Sequence, residues 1–374
     1  MAEEFAKYSA RATLRIDLSS IRHNYDTIKA KVGGATVAAC VKADAYGLGI
    51  KPVARSLYGA GCRVFFVATA GEGKILREAV GDTPSIYLLN GPASRDLRLI
   101  FGADLKPVIN SFEQARLWAS AAEPVGSPPF AALHIDTGMN RLGLDIEELS
   151  KLTRNKKMFN NLGVDLVMSH LACASDKSHP LNAEQLTRFR RASTQLPMKP
   201  LSLANSAGIY LGKSYHFQMV RSGIALYGGK PNASPEMSAL KPVVSLLAPV
   251  LQTRIVKAGE TLGYDGLFKV ERDMKVAVLA AGYADGIPIS ASGIGTARAG
   301  YGTMYGKRVP IVGRVSMDLT IVDISKMEKP VNPGETVEFY GDHLERDAES
   351  VGTISYELLT RLGQRCRREY LTGT

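Results

Sequence analysis

In the run AACVKADAYGLG, Lys42 stands where an apolar strand gives way to a turn. A phenol, Tyr46, follows four residues later, with two glycines beyond it. A lysine in that position either snorkels to the rim of the fold or is held as a nucleophilic amine. The strand AACV would desolvate the ammonium, which lowers its pKa and frees the amine. Far along the chain, LANSAG carries Asn205 and Ser206, and MVRSGIALYG carries Arg221, Ser222, Gly223 and Ile224. The Ser206 hydroxyl suits a cap on the next helix, and Ser222 to Ile224 form a small-residue turn with free backbone N–H groups. Each feature alone is ordinary turn chemistry. Together, an amine opposite an anion cradle suggests an aldehyde-bearing phosphorylated cofactor, pyridoxal phosphate held as a Schiff base on Lys42. MSHLA adds His170 and MVRSG adds Arg221, both at strand ends. A lone histidine is more often a satisfied core residue, but a guanidinium in a buried mouth must find several acceptors.

These residues need a scaffold that brings distant strand ends to one place. From residue 36 to about 226 one pattern repeats: a short apolar or β-branched run, a polar or glycine-rich turn, then helical spacing. The runs cover residues 36–42, 63–69, 84–89, 105–109, 131–137, 164–170, 201–205 and 216–222. Strands alternating with helices mean parallel βαβ units, and eight of them predict an α/β fold, a closed (β/α)8 TIM-type barrel over residues 12–240. A doubly wound sheet is disfavoured, because no GxGxxG turn follows the first strand. In such barrels reactive residues sit at the C-terminal ends of strands, where Lys42, His170 and Arg221 fall. After residue 240 the strand-like runs come close together with few helical stretches, which predicts a mainly β domain over 241–374. The run TLRIDLS (13–19) reads as a strand that brings residues 1–18 into that domain, with Ser19 and Ser20 as the N-cap of the helix that follows.

VKADAYGLG, DTGMNRLG, MSHLA, ANSAG, MVRSGIALYG, GYADG, GRVSMD and ISYELL occur in the order seen in alanine racemases. The sequence resembles that family over nearly its whole length. The resemblance implies a homodimer of a pyridoxal-phosphate barrel with a C-terminal β domain, which interconverts L- and D-alanine. It implies that Lys42 is the Schiff-base lysine and one catalytic base. Tyr264, in TLGYDGLF, is implied as the second base, reaching the barrel mouth of the other subunit. Tyr46, Asn205, Ser206, Gly223, Ile224 and Tyr356 are implied around the cofactor and its phosphate, Arg221 at the pyridine nitrogen and His170 beside the ring. Arg141 and Met317 are implied at the substrate carboxylate, and Tyr283 at the substrate entrance. Racemisation needs one proton removed from a face of Cα and another delivered to the opposite face, so two acid–base groups flanking one plane are coherent chemistry. One position departs. Many family members carry a carbamylated lysine seven residues before the motif arginine, and here that position is His134. A bound anion such as chloride, or a nearby carboxylate, is then expected to orient Arg141.

Composition narrows the alternatives. The chain has 374 residues with 46 Lys+Arg against 36 Asp+Glu, a net charge of +10. The hydrophobic share of 45% is globular, and no apolar run is long enough to span a bilayer. The basic clusters RFRR, RNKK and RCRRE are interrupted and lack interleaved aromatics, so solvated surface is favoured over nucleic-acid binding. Four scattered cysteines lack metal-ligand spacing, and the first ten residues lack a leader's apolar core, which together predict no metal and a cytoplasmic protein. A racemase of other or broader amino acids and a non-catalytic pyridoxal-phosphate protein remain as alternatives. A decarboxylase is disfavoured, since that class places a glutamate where Arg221 stands.

Overall fold

The structure, a computed structural model, describes residues 12–122, 129–232, 234–294 and 299–373. The N-terminal decapeptide read above for a leader lies outside the described residues. Contacts divide the chain into two units, one holding Ile21–Leu240 and the other Lys241–Thr374 with the segment up to Ser20.

Strand β1 (Thr13–Asp17) belongs to the second unit. The first unit is a closed barrel of eight parallel strands: β2 (Thr36–Cys40), β3 (Val64–Val67), β4 (Ser85–Leu88), β5 (Lys106–Ile109), β6 (Ala131–His134), β7 (Val164–Met168), β8 (Leu201–Ser202) and β9 (Met219–Ser222). All eight fall within the apolar runs picked out in the sequence. They are short and covered on both faces, which is why they read as continuous apolar runs rather than alternating ones. β2 pairs with β9 in parallel register, Ala38 opposite Arg221, and this closes the ring. The interior is filled by Ala38, Phe66, Tyr87, Val108, Ala132, Leu166, Met168 and Met219. At the strand starts, Lys106 Nζ pairs with Asp165 Oδ2 at 2.6 Å while Tyr87 Oη donates to Asp165 Oδ1 at 3.0 Å. The N-terminal end of the barrel is therefore plugged, and the open chemistry lies at the other end. Helices begin on capping boxes, Thr69 with Glu72 ahead of Ala70–Val80 and Asp145 with Glu148 ahead of Ile146–Arg154.

The second unit is mainly β. Its spine is β10 (Val244–Val256), which pairs antiparallel with β1, then with β13 (Met274–Leu279) and β17 (Thr336–Tyr340). Between them β11 (Thr261–Leu262) and β12 (Phe268–Lys269) form a small hairpin. β14 (Tyr301–Met304), β15 (Lys307–Pro310), β16 (Thr320–Asp323) and β18 (Arg367–Leu371) complete an eight-stranded sheet, with β18 parallel to β1. The helix after β1 spans Leu18–Val32 and does not use Ser19 or Ser20 as its cap. Asp17 takes that part: its Oδ1 accepts the N–H groups of Ser19 at 2.8 Å and Ser20 at 3.0 Å. A carboxylate satisfies two orphan amides at once, and the serine hydroxyls become additional donors to it.

Candidate active site

Lys42 lies two residues beyond β2, half-buried, and the chain then does something the sequence does not announce. Ala43, Asp44, Ala45 and Tyr46 all have φ between +52° and +57°, so four consecutive non-glycine residues wind left-handed. Ala45 N–H bonds Val41 O at 2.9 Å and Gly47 N–H bonds Ala43 O at 2.8 Å, the i to i−4 pattern of a helix of the wrong hand. Each such residue costs on the order of 1–2 kcal/mol, so other groups must hold the turn. Asp44 Oδ1 accepts Ile50 N–H at 2.7 Å, capping the helix Ile50–Gly59. Glu72 Oε1 accepts Ala43 N–H at 2.7 Å. Gly47 at φ +82° and Gly49 at φ +97° release the chain from the turn.

The left-handed turn buries Tyr46 against Tyr227, with ring centroids 4.7 Å apart. Tyr227 is itself anchored, Oη to Cys40 O at 2.9 Å. Tyr46 thereby reaches the turn after β9. A Cβ on Gly223 would sit 2.2 Å from the Tyr46 hydroxyl, so only glycine admits that phenol. Ser206 does not cap its own following turn. Its hydroxyl accepts Gly223 N–H at 2.9 Å and Ala225 N–H at 3.3 Å, tying the loop after β8 to the loop after β9. The local cap is Asn205, whose Oδ1 accepts Gly208 N–H at 2.9 Å. Ile224 opens a buried 3-10 turn, Ile224–Tyr227.

Arg221, the residue before the last of β9, is buried inside the barrel. Among the described residues no carboxylate pairs with it. Nη1 donates to Ser202 O at 2.9 Å and Ser202 Oγ at 2.6 Å, while Nη2 donates to Ser169 O at 2.6 Å and His170 Nδ1 at 3.2 Å. Nε takes part in none of these bonds. Burial lowers the guanidinium to about 10, so it stays charged at neutral pH among neutral acceptors. A guanidinium only donates, so His170 Nδ1 accepts and the ring proton sits on Nε2. Burial first, and then the charges of Arg221 and Arg141, drive the His170 pKa well below its usual value, and the imidazole is neutral.

His134, at the end of β6, is buried too. Its Nδ1 meets Asn110 Oδ1 at 2.7 Å, and Asn110 Nδ2 is committed to Leu89 O and Val108 O. The amide oxygen must accept, so His134 carries its proton on Nδ1. Burial and the Arg221 charge lower its pKa to about 4. Arg141 is exposed, and no carboxylate bonds it among the described residues.

The structure thus gathers Lys42, Tyr46, His170, Asn205, Ser206, Arg221, Gly223 and Ile224 at the C-terminal ends of barrel strands. Of the remaining residues named from the sequence, Arg141 lies in the barrel unit, and Tyr264, Tyr283, Met317 and Tyr356 lie in the β unit. Tyr264 opens the turn Tyr264–Gly266 at the tip of the β11–β12 hairpin, where Asp265 pairs with Arg314. Tyr283 and Met317 lie on two clamped segments: Tyr283 N–H bonds Ser316 O at 3.0 Å and Ala284 N–H bonds Met317 O at 3.1 Å. Gly282 permits this approach, since a Cβ there would lie 2.2 Å from Ser316 O. Tyr356 is half-buried on the helix Ser355–Thr360. Sequence reasoning missed the supports: Glu72, Asn110, Ser169, Ser202, and Asp285, which takes Arg365 in two bonds of 2.8 Å and accepts Gly282 N–H at 2.9 Å. Of these only the Thr69–Glu72 spacing carried a local signal, that of a capping box.

The chain matches family models and known relatives over both units. The model described as alanine racemase, N-terminal domain, matches residues 16–231, and the one for the C-terminal domain matches residues 243–370. A catabolic alanine racemase of Agrobacterium fabrum is 43% identical over 374 residues, covering 99% of this chain and 95% of that protein. A biosynthetic alanine racemase of the same organism is 41% identical over 369 residues, covering 96% and 94%. A solved alanine racemase from Bartonella henselae, with covalently bound pyridoxal phosphate, superposes with a TM-score of 0.92 at 39% identity. That superposition covers 97% of this chain and 100% of the other.

Proposed function

The chain belongs to the alanine racemase family, and from that premise we propose that it interconverts L- and D-alanine with pyridoxal phosphate, using Lys42 and Tyr264 on opposite faces of the substrate Cα. The residues at the barrel mouth fit the cofactor. Ser206, Gly223, Ile224 and Tyr46 form a cradle that a Cβ at Gly223 would fill, and Arg221 Nε makes no bond among the described residues. When bound, pyridoxal phosphate supplies an aldehyde for an amine and an electron-accepting ring that acidifies the Cα–H bond.

The chain's own groups then do the following. The turn at Gly223 and Ile224, with Ser206 and Tyr46, binds phosphate through hydrogen-bond donors. Arg221 only donates hydrogen bonds, so it would hold the cofactor's ring nitrogen as a donor and would offer it no proton acceptor. Lys42 Nζ takes or returns a proton on one face of Cα, and Tyr264 Oη does so on the other. Arg141 and the Met317 N–H receive the substrate carboxylate, and Tyr283 lines its approach. Tyr356 adds a phenol to the phosphate site. Tyr264 is 67% exposed in the single chain, which supports a homodimer in which it serves the partner's barrel. The free thiols among the described residues suit a reducing compartment such as the cytoplasm.

One observation carries this reading: a strand-end lysine shares one barrel mouth with an anion cradle and a buried guanidinium that has no carboxylate partner. The test is a D-amino-acid-oxidase-coupled assay on the cofactor-loaded protein with L-alanine. D-alanine should appear, and a loaded protein that forms none overturns the proposal.

A further inference from the structure

Helix Ala70–Val80 follows β3, the barrel strand beside β2. Its capping-box glutamate is used more widely than a cap requires. Glu72 Oε2 accepts Ala68 N–H at 2.8 Å and Thr69 N–H at 3.3 Å, the ordinary duty of that residue. Its other oxygen crosses 29 residues of sequence to accept the N–H of Ala43, next to Lys42, at 2.7 Å. Ala43 is the first residue of the left-handed turn, and its amide is one of those that an inverted turn leaves without an internal acceptor. The turn itself is intrinsically disfavoured for alanine and aspartate side chains. Something outside it must choose this conformation over the right-handed one that Ala43, Asp44 and Ala45 prefer.

We infer that Glu72 is a positioning residue for Lys42: its carboxylate locks the left-handed turn at Ala43 and so fixes where the lysine amine and the Tyr46 phenol stand. The inference rests on the reading of Lys42 as the reactive amine. The physical logic is a lever. The turn hand sets the direction of the chain leaving Lys42 and carries Tyr46 onto Tyr227 and beside Gly223. A right-handed turn would send Tyr46 elsewhere and remove the phenol from the cradle. Glu72 is half-buried and charged, so its bond to Ala43 is charge-assisted and geometrically short. Helix stability alone does not demand that bond, because the cap of Ala70–Val80 is complete with Thr69 Oγ1 accepting Glu72 N–H at 3.3 Å and Glu72 Oε2 returning to Thr69.

The holoenzymes of E72A, E72Q and T69A separate these roles. E72A should speed amide hydrogen exchange in the peptide containing residues 43–49. It should slow the borohydride trapping of cofactor on Lys42 and lower kcat by about tenfold or more, the worth of one charge-assisted bond, with KM for alanine changed less than about twofold. E72Q keeps the volume and one acceptor oxygen, so it should fall between E72A and the parent and remain folded. T69A removes the other half of the capping box and should leave exchange at 43–49 and kcat unchanged. The inference is overturned if E72A and E72Q match the parent in exchange and kcat, or if T69A reproduces their effects. Peptide mapping of the borohydride-reduced parent tells the two failures apart. A label on a lysine other than Lys42 overturns the underlying reading, whatever the Glu72 variants do.

Discussion

In the barrel unit Arg221 and Ser206 are buried and half-buried His170 is bonded through Nδ1, whereas in the β unit Tyr264 and Met317 stand 67% and 53% exposed. The barrel holds its candidates by side-chain bonds that span strands far apart in sequence. The β unit holds its own by backbone: hairpin turns and paired carbonyls fix Tyr264, Tyr283 and Met317, and their side chains are left to meet something outside the unit. The first arrangement is a preorganised cradle, in which desolvated donors stand in place before the chemistry begins. The second leaves its side chains open, as the proposed service to a partner's barrel requires. On the proposed reading, a two-sided reaction draws one acid–base group from each kind of arrangement.

The widest difference concerns activity without stability. Lys42→Ala should abolish D-alanine formation by at least about 10⁴-fold, while its urea midpoint stays close to the parent because the amine makes no bond that holds the fold. Residual activity within tenfold of the parent would detach Lys42 from the chemistry.

Next comes stability. Arg221→Met strips donors from the carbonyls of Ser202 and Ser169 and should cost about 2–4 kcal/mol in chemical unfolding. Arg314→Met in the β unit removes an ion pair whose side chains are about half exposed and should cost under about 1 kcal/mol. Equal costs would erase the distinction between a committed interior and an exposed surface.

The smallest effect is a divergence with pH. His134 in the barrel is neutral with its pKa lowered to about 4 by burial, so the unfolded state binds more protons below the ordinary histidine range. Its contribution is present above about 6.5 and is lost as pH falls toward 4. Asp347 in the β unit is raised to about 6, also by burial. Its folded form binds the extra proton, so its contribution is present at low pH and is lost as pH rises through 6. Lowering the pH from 7 to 5 should lower the protection factors, that is exchange corrected for its intrinsic pH dependence, near β6 and raise them near the helix Leu344–Ser350. Parallel changes in both places would contradict the assignment.

The barrel was legible because its strands are short, apolar and doubly covered, so each appears as a dense run between turns. Lys42, His170 and Arg221 were legible as strand-end residues for the same reason. The left-handed turn was not. Ala43 and Ala45 read as helix formers, and what reverses their hand is a carboxylate 29 positions away that no local pattern announces. Ser206 was assigned to its own next turn, but its acceptor oxygen serves Gly223, because adjacent strand ends in a closed ring are nearer than adjacent residues. Asp17 displaced Ser19 and Ser20 as a cap because a carboxylate answers two amides. The partners of Arg221 are backbone carbonyls, Ser202 Oγ and His170 Nδ1, a set that composition cannot single out.

The central claim is that the two units serve opposite faces of one carbon, and Tyr264→Phe in deuterated water tests it most directly. The phenol is exposed, so the fold should be unaffected, and racemisation should fall by about 10²–10⁴-fold, the range for losing a general acid–base group. Lys42 remains, so the variant should still exchange the Cα hydrogen of one alanine enantiomer for deuterium and leave the other almost untouched. Equal exchange of both enantiomers, or racemisation at the parental rate, would show that Tyr264 does not serve the second face.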